Sequence, residues 1–316
     1  MALASFGVLA VVFVAGLIAY ENPVEFGTRG YWLIAERRLY AVAAMLIVAL
    51  CQAVATVAFQ TVTNNRILTP SIMGFESLYI AIHTATVYFL GANGLNNART
   101  LPMFIAQIAV MVTLSLILYT WLLVDSNSNM HAMLLVGIVI GGGLGSLSAF
   151  MQRMLTPSEF DVLTARMFGS VNNANPDYYP VAVPLVLVAA TLMYLNSRRL
   201  NVLALGRDVA VNLGIKHRKH AIYTLVLVSI LMAVSTALVG PMTFLGFLVA
   251  TLAYQFTDTY DHRYIFPMAF LLGFVVLTGA YFVMNHIFYA QGVVSIIIEL
   301  VGGITFLVVI LRKGRL

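Results

Sequence analysis

The chain has 316 residues, 61% of them hydrophobic and only 9% charged. A soluble domain carries roughly 25% charged residues, so this composition excludes a soluble enzyme or soluble binding module. The net charge of +5 reads as a signature of membrane topology, not of a nucleic-acid partner.

Apolar runs long enough to cross a hydrocarbon core of ~30 Å recur along the whole length. They predict ten spans, at 2–20, 39–62, 72–90, 101–124, 131–154, 179–196, 220–239, 242–257, 264–285 and 293–312. The runs are continuous, unlike the ~10-residue alternating segments of a barrel, so the expected fold is an all-α polytopic membrane protein. The first run, Ala2 to Tyr20, has no basic stretch before it and no small-residue cleavage site after it, and is expected to be a retained helix. Cys51, the single cysteine, lies in the second run and has no partner for an intrachain disulfide. The third and eighth runs are short or flanked by Gly and Pro, and need not cross as straight rods if packed inside protein.

Two intramembrane acids and a histidine stand out. Glu76 and His83 fall on the third span and Glu299 on the tenth. An ionised group at the bilayer centre costs several kcal/mol, so each is expected to face protein or water. Their spacing specifies no metal geometry. Glu299 shares a helical face with Ser295, Gly302 and Gly303, and is expected to be hydrogen-bonded across a close helix contact.

Lysine and arginine set the orientation. With the N-terminus cytoplasmic, eleven of the 17 fall on the inner side and six on the outer, and all three lysines fall inside. Both termini are then cytoplasmic. The most basic connection, Leu200 to His220, is inside as well. It also has pattern. Leu200, Leu203, Val209, Val211, Leu213 and Ile215 recur at nearly helical spacing, with Gly206 and Gly214 as stops. This predicts two short helices with Arg207 and Asp208 in the turn between them. Such a unit is too short to span. It either docks on a partner or lies in the headgroups as an interfacial helix.

The stretch "LNVLALGRDVAVNLG" resembles the L-x-x-L-x-L-G-x-x-x-A-x-x-L-G coupling loop of iron-chelate and cobalamin permeases, the membrane subunits of a class of ABC importers. Gln60, Asn65, Pro70 and Gly74 match a second segment of that family, with Arg66 at the place of its proline. Gly169 and Ser170 match its Gly-Ser pair. Gly240, Pro241, Phe244 and Gly246 match its G-P-x-x-F-x-G segment, after which Ala250, Thr251 and Tyr254 replace its Pro, His and Arg. Asp261, His262, Arg263, Pro267 and Gly273 follow, then Gly302 and Gly303 before a basic tail.

The resemblance covers nearly the whole chain and implies the iron-siderophore branch. It implies one permease domain over 1–316, with helices 2–5 and 7–10 forming an inverted repeat. It implies a coupling loop at about 198–218 that contacts an ATPase through Leu203, Leu205, Gly206, Arg207, Asp208, Ala210, Leu213 and Gly214. On the outer face, arginines would receive a siderophore-binding protein, with Arg38, then Arg37 and Arg99, as candidates. A second permease chain, preferably a different one, would complete the pore in the bacterial cytoplasmic membrane. The chain has no G-x-x-x-x-G-K-[ST] sequence, so ATP is expected in a separate ATPase dimer, with no cofactor bound here and no enzyme activity. The competing class is an ion-coupled secondary transporter or channel with inverted repeats. No Ser/His, Asp/Asp or H-E-x-x-H arrangement supports an intramembrane enzyme.

Overall fold

The computed structural model describes residues 2–20, 24–25, 27–97, 100–123, 130–286 and 294–313. Thirteen α-helices occupy them: α1 (Ala2–Ala19), α2 (Arg29–Val62), α3 (Phe75–Asn97), α4 (Leu101–Leu123), α5 (Met130–Gln152), α6 (Pro157–Met167), α7 (Tyr179–Leu195), α8 (Ser197–Leu203), α9 (Arg207–Asn212), α10 (His217–Val239), α11 (Leu245–Phe256), α12 (His262–His286) and α13 (Val294–Lys313). No strand occurs among the described residues. The ten predicted spans fall on α1–α5, α7 and α10–α13. Five of these helices are long and apolar enough to cross a bilayer, and four more are shorter but apolar. The remaining one, α3, is broken at Gly91, whose φ of 69° is open to glycine at little cost. The third apolar run ends at that break.

Helix α2 runs through the middle of the bundle, packed against α10, α12 and α11. It starts ten residues before the predicted span. The Arg29–Arg38 stretch was expected to be connection because of its charges. Instead Thr28 caps it, accepting the Tyr31 N–H at 3.3 Å, and the helix is already formed where the apolar run begins. Its 34 residues extend ~51 Å at 1.5 Å per residue, well past a ~30 Å core.

Helix α6 was not foreseen, because its 11 residues, with Glu159, Asp161 and Arg166 among them, are too few and too polar to register as a span. Its start is nonetheless encoded by a capping box. Thr156 accepts from the Glu159 N–H, Glu159 bonds back to Thr156, and Pro157 pre-sets the first turn.

The two halves each contain a short element seated on glycine. A 3₁₀ turn at Ser71–Met73 ends at Gly74 (φ 104°), and a Cβ at Gly141 of α5 would stand 3.1 Å from the Gly74 Cα. In the second half, a Cβ at Gly302 of α13 would stand 2.6 Å from the Phe244 Cβ. In both cases the last helix of the half gives up side chain so that a non-helical segment can approach its backbone. This is the relation expected of the repeat α2–α5 and α10–α13.

One end of the bundle gathers the C-termini of α2 and α7, the N-termini of α10 and α12, and both α8 and α9. At the far end Tyr179 donates to the Tyr40 carbonyl at 2.7 Å, tying α7 to α2.

Candidate functional site

The end bearing α8 and α9 carries the predicted knob. Both glycine stops hold left-handed backbone, with φ of 93° at Gly206 and 79° at Gly214, and neither has another group near a would-be Cβ. The two short helices form as the spacing predicts. One detail is corrected. Arg207 and Asp208 are not in the turn but open α9, because Gly206 already reverses the chain and the Ala210 N–H bonds to its carbonyl.

The eight predicted contact residues divide by where they point. Leu203 and Ala210, with Leu200, are fully buried against the permease itself. Leu205 and Leu213 are 58% and 60% exposed, and Val209 and Val211 are exposed beside them. Arg207, Asp208 and Gly214 share that exposed rim. The knob is thus glued to its own subunit by one apolar row and presents a second apolar row outward.

Behind the knob lies a polar network that sequence reading did not find. Asn201 of α8 accepts the His262 N–H at 3.0 Å and faces the ring Nδ1 at 2.5 Å. Its amide donates to Asp261 Oδ1 at 2.9 Å. The ring Nε2 of His262 meets the Thr61 hydroxyl of α2 at 2.7 Å. Asp261 is ion-paired with Arg263 at 2.6 Å. Hydrogen bonds from the Arg263 guanidinium, then from Asn201, hold the Asp261 carboxyl well below the usual carboxylate range. Beside this network is a cavity of about 320 Å³, walled by Gln60, Asn65, Tyr254, Tyr260 and His262. Arg66 crosses it, 4.5 Å from the Tyr254 ring centroid and 5.1 Å from that of Tyr260.

At the far end the predicted arginines differ. Arg37 is exposed. Arg38 turns inward, its Nη1 donating to the carbonyls of Leu17, Ile18 and Tyr20 at 3.0, 3.4 and 2.8 Å. It satisfies the open carbonyls at the C-terminus of α1, where a positive charge is favoured. Arg99 lies outside the described residues.

Within the bundle, Glu76 and Glu299 are brought to one region from the two halves, since Thr243 touches Glu76 and the adjacent Phe244 touches Gly302, one turn along α13 from Glu299. Thr243 donates to Glu76 Oε2 at 2.6 Å. The expectation for Glu299 is corrected. The close contact does form, with Phe244 packed on Gly302 and Gly303 of the shared face, but among the described residues Glu299 makes no hydrogen bond across it. His83 stands apart from both acids. Its Nε2 is 3.4 Å from the Gln107 amide and its ring lies edge-on to Tyr79. It borders a cavity of about 180 Å³ with Tyr79, Gln107, Arg166, Asn173 and Tyr178. Among the described residues no group of three or more His, Cys, Asp or Glu side chains is arranged to hold a metal.

Residues 2–312 match the FecCD transport family. The chain belongs to that family. It is 56% identical over 301 residues to the petrobactin import system permease protein FatC of Bacillus anthracis, covering 95% of this chain and 85% of FatC. It is 38% identical to the petrobactin import system permease protein YclO of Bacillus subtilis, covering 97% and 96% of the two chains. FatD of Bacillus anthracis, also named a petrobactin import system permease protein, is 22% identical over 97% of this chain and 90% of its own. Among solved structures, an inward-facing metal-chelate type ABC transporter superposes with a TM-score of 0.79 at 20% identity, covering 98% of both chains. The last likeness shows the shared fold. The FecCD membership establishes the chain as a multi-pass permease.

Proposed function

We propose that this FecCD permease is one of two membrane subunits of an ATP-driven importer that carries a ferric siderophore of the petrobactin type. The observation that carries the reading is the exposed apolar row Leu205–Val209–Val211–Leu213 on a glycine-delimited pair of helices. It stands at the basic end of a chain whose relatives FatC and YclO are petrobactin permeases. A hydrophobic rim on a rigid knob is what a separate ATPase needs to grip if its closure is to do mechanical work on the bundle.

The remaining roles follow from this placement. The whole chain acts as one permease domain, with residues about 198–218 as its coupling loop. The basic end is cytoplasmic, and both termini lie there. ATP is bound and hydrolysed by a partner ATPase dimer. A second, different permease chain completes the pore, a pairing supported by the coexistence of FatC and FatD in one organism. At the outer face a siderophore-binding protein docks on Arg37, whose charge is exposed.

The test is co-purification. Leu205→Asp and Leu213→Asp place charge on the rim without touching the buried row. Each should release the ATPase from the detergent-solubilised importer and abolish ferric petrobactin uptake, with the permease still abundant. ATPase retention with normal uptake in both variants would overturn the reading, and uptake driven by an ion gradient without ATP would favour the secondary-transporter class.

A further inference from the structure

The knob has to pass its displacement to helices that cross the membrane. Its apolar underside, Leu200 and Leu203, gives adhesion but little directional hold, since apolar contact is non-directional. Asn201 is the polar residue of α8 that sits between them, and its bonds are directional. The arrangement fixes its amide. Asp261 Oδ1 is an acceptor and so must face Nδ2; the His262 backbone N–H is a donor and so must face Oδ1. The ring Nδ1 then also faces an acceptor and carries the proton. In the neutral ring, Nε2 is left as an acceptor 2.7 Å from the Thr61 hydroxyl, whose single proton is shared between Nε2 and the Val57 carbonyl at 2.9 Å. One side chain of α8 therefore reads out to the first residue of α12 and, through the imidazole, to the last turn of α2. His262 is 2% and Thr61 6% exposed, so water competes little for these bonds. Helices α2 and α12 in turn form one of the most extensive helix contacts of the bundle.

We propose that Asn201 is a positioning residue that locks the coupling helix to α2 and α12 through His262, so that movement of the knob is passed into the membrane helices in register. The inference rests on the reading that α8 and α9 dock an ATPase. Neither residue touches the ATPase on this account. Their loss leaves docking intact and lets the knob move without the bundle.

The experiment uses the whole importer, permease with its ATPase, partner permease and binding protein, in proteoliposomes. ATP hydrolysis and ferric petrobactin uptake are measured on the same preparation, with the amount of assembled complex as reference. Asn201→Leu keeps volume and removes all three bonds. It should hold the ATPase and hydrolyse ATP at close to the wild-type rate, while uptake per ATP falls about tenfold or more, within the range of ordinary coupling energies. His262→Phe should do the same, whereas His262→Gln, whose amide can still donate and accept, should restore most of the ratio. If Asn201→Leu does not assemble, the two His262 variants decide alone. An unchanged ratio of uptake to ATP in the assembled Leu or Phe variants would overturn the proposal, as would uptake and hydrolysis falling together in step with folded protein. A wild-type permease that never retains an ATPase is a separate result, and it would remove the docking reading itself.

Discussion

The Thr243 hydroxyl donates a 2.6 Å hydrogen bond to Glu76, so the segment that follows α10 is joined to the first turn of α3. The two residues come from opposite halves of the repeat. Among the described residues the other carboxyl oxygen of Glu76 is buried with no hydrogen-bond partner, so the threonine, with Ser71 also acting on the carboxyl, is the main group that offsets the acid's burial. Thr243→Val should lower the stability of the purified permease by about 1–3 kcal/mol, read as a drop in its thermal midpoint in detergent, and Thr243→Ser should not. Glu299 supplies no such bond. Glu299→Gln and Glu299→Leu should both keep folded protein at wild-type level, since among the described residues Glu299 has no hydrogen bond to lose. A marked loss in the Leu variant would show that Glu299 holds a partner in the assembled pore.

Two glycines permit contacts that no other residue allows. A Cβ at Gly169 would lie 2.1 Å from the Pro241 carbonyl oxygen, and one at Gly246 would lie 2.2 Å from Thr56 Oγ1. Alanine at either site should cost about 1–3 kcal/mol, the usual range for overpacking. The first obstacle is backbone and the second a side chain, so only the second should be relieved by a companion change. Gly246→Ala with Thr56→Ala should recover part of the folded yield that Gly246→Ala loses, measured by gel filtration of solubilised protein.

Arg38 and Arg37 are neighbours with separable effects. Arg38→Ala removes three carbonyl contacts at the end of α1 and should lower thermal stability by about 1.5–3 kcal/mol, in the range of hydrogen bonds to charged groups. Arg37→Glu should leave stability unchanged and weaken binding-protein docking at low salt. The difference should fade toward 1 M salt, where screening acts over about 3 Å. Affinity that is the same for Arg37→Glu and wild type at low salt would remove Arg37 from the docking face.

Arg66, on the loop after α2, rests on the Tyr254 ring of α11. A double-mutant cycle of Arg66→Met and Tyr254→Leu should give a coupling of about 0.5–1 kcal/mol for a ring contact at an exposed cation. Tyr254→Phe should retain it. Strict additivity would mean the two groups are neighbours without an energetic link.

The Asp261 ion pair sets an expectation for pH. Its carboxyl is held below the ordinary range, so its contribution is complete above the unfolded value near ~4 and is lost only as pH falls through the lower folded value. Arg263 is half exposed, which limits the pair to about 1 kcal/mol or less. The thermal midpoint of Asp261→Asn relative to wild type should therefore be flat between about pH 5 and 8. A difference that grows through that range would point to a group other than Asp261.

Much of the bundle was legible because a span is encoded locally, as a run of apolar residues, and so was the knob, because Gly206 and Gly214 fill positions that need positive φ. The start of α2 was not, since Arg29, Arg37 and Arg38 mark the edge of the lipid and not the end of the helix. The T-P-S-E run that opens α6 was a readable start signal, but the helix is too short to appear as a span. The juxtaposition of Glu76 with Thr243 and Glu299, and of Asn201 with Thr61 and His262, depends on which helices meet. Nothing within ten residues of any of these groups announces its partner.

The central place of α2 has a consequence for synthesis. Gln52 waits for Ser235, 183 residues later, and Thr61 for His262, 201 residues later. At ~5–20 residues per second, a ribosome needs about 10–40 s to supply those partners. Through that interval the helix carrying Gln52 is already made, with an amide that lipid cannot satisfy. The nascent chain must therefore be sheltered, at the insertion machinery or by its own early helices, until α10 and α12 arrive to close around it.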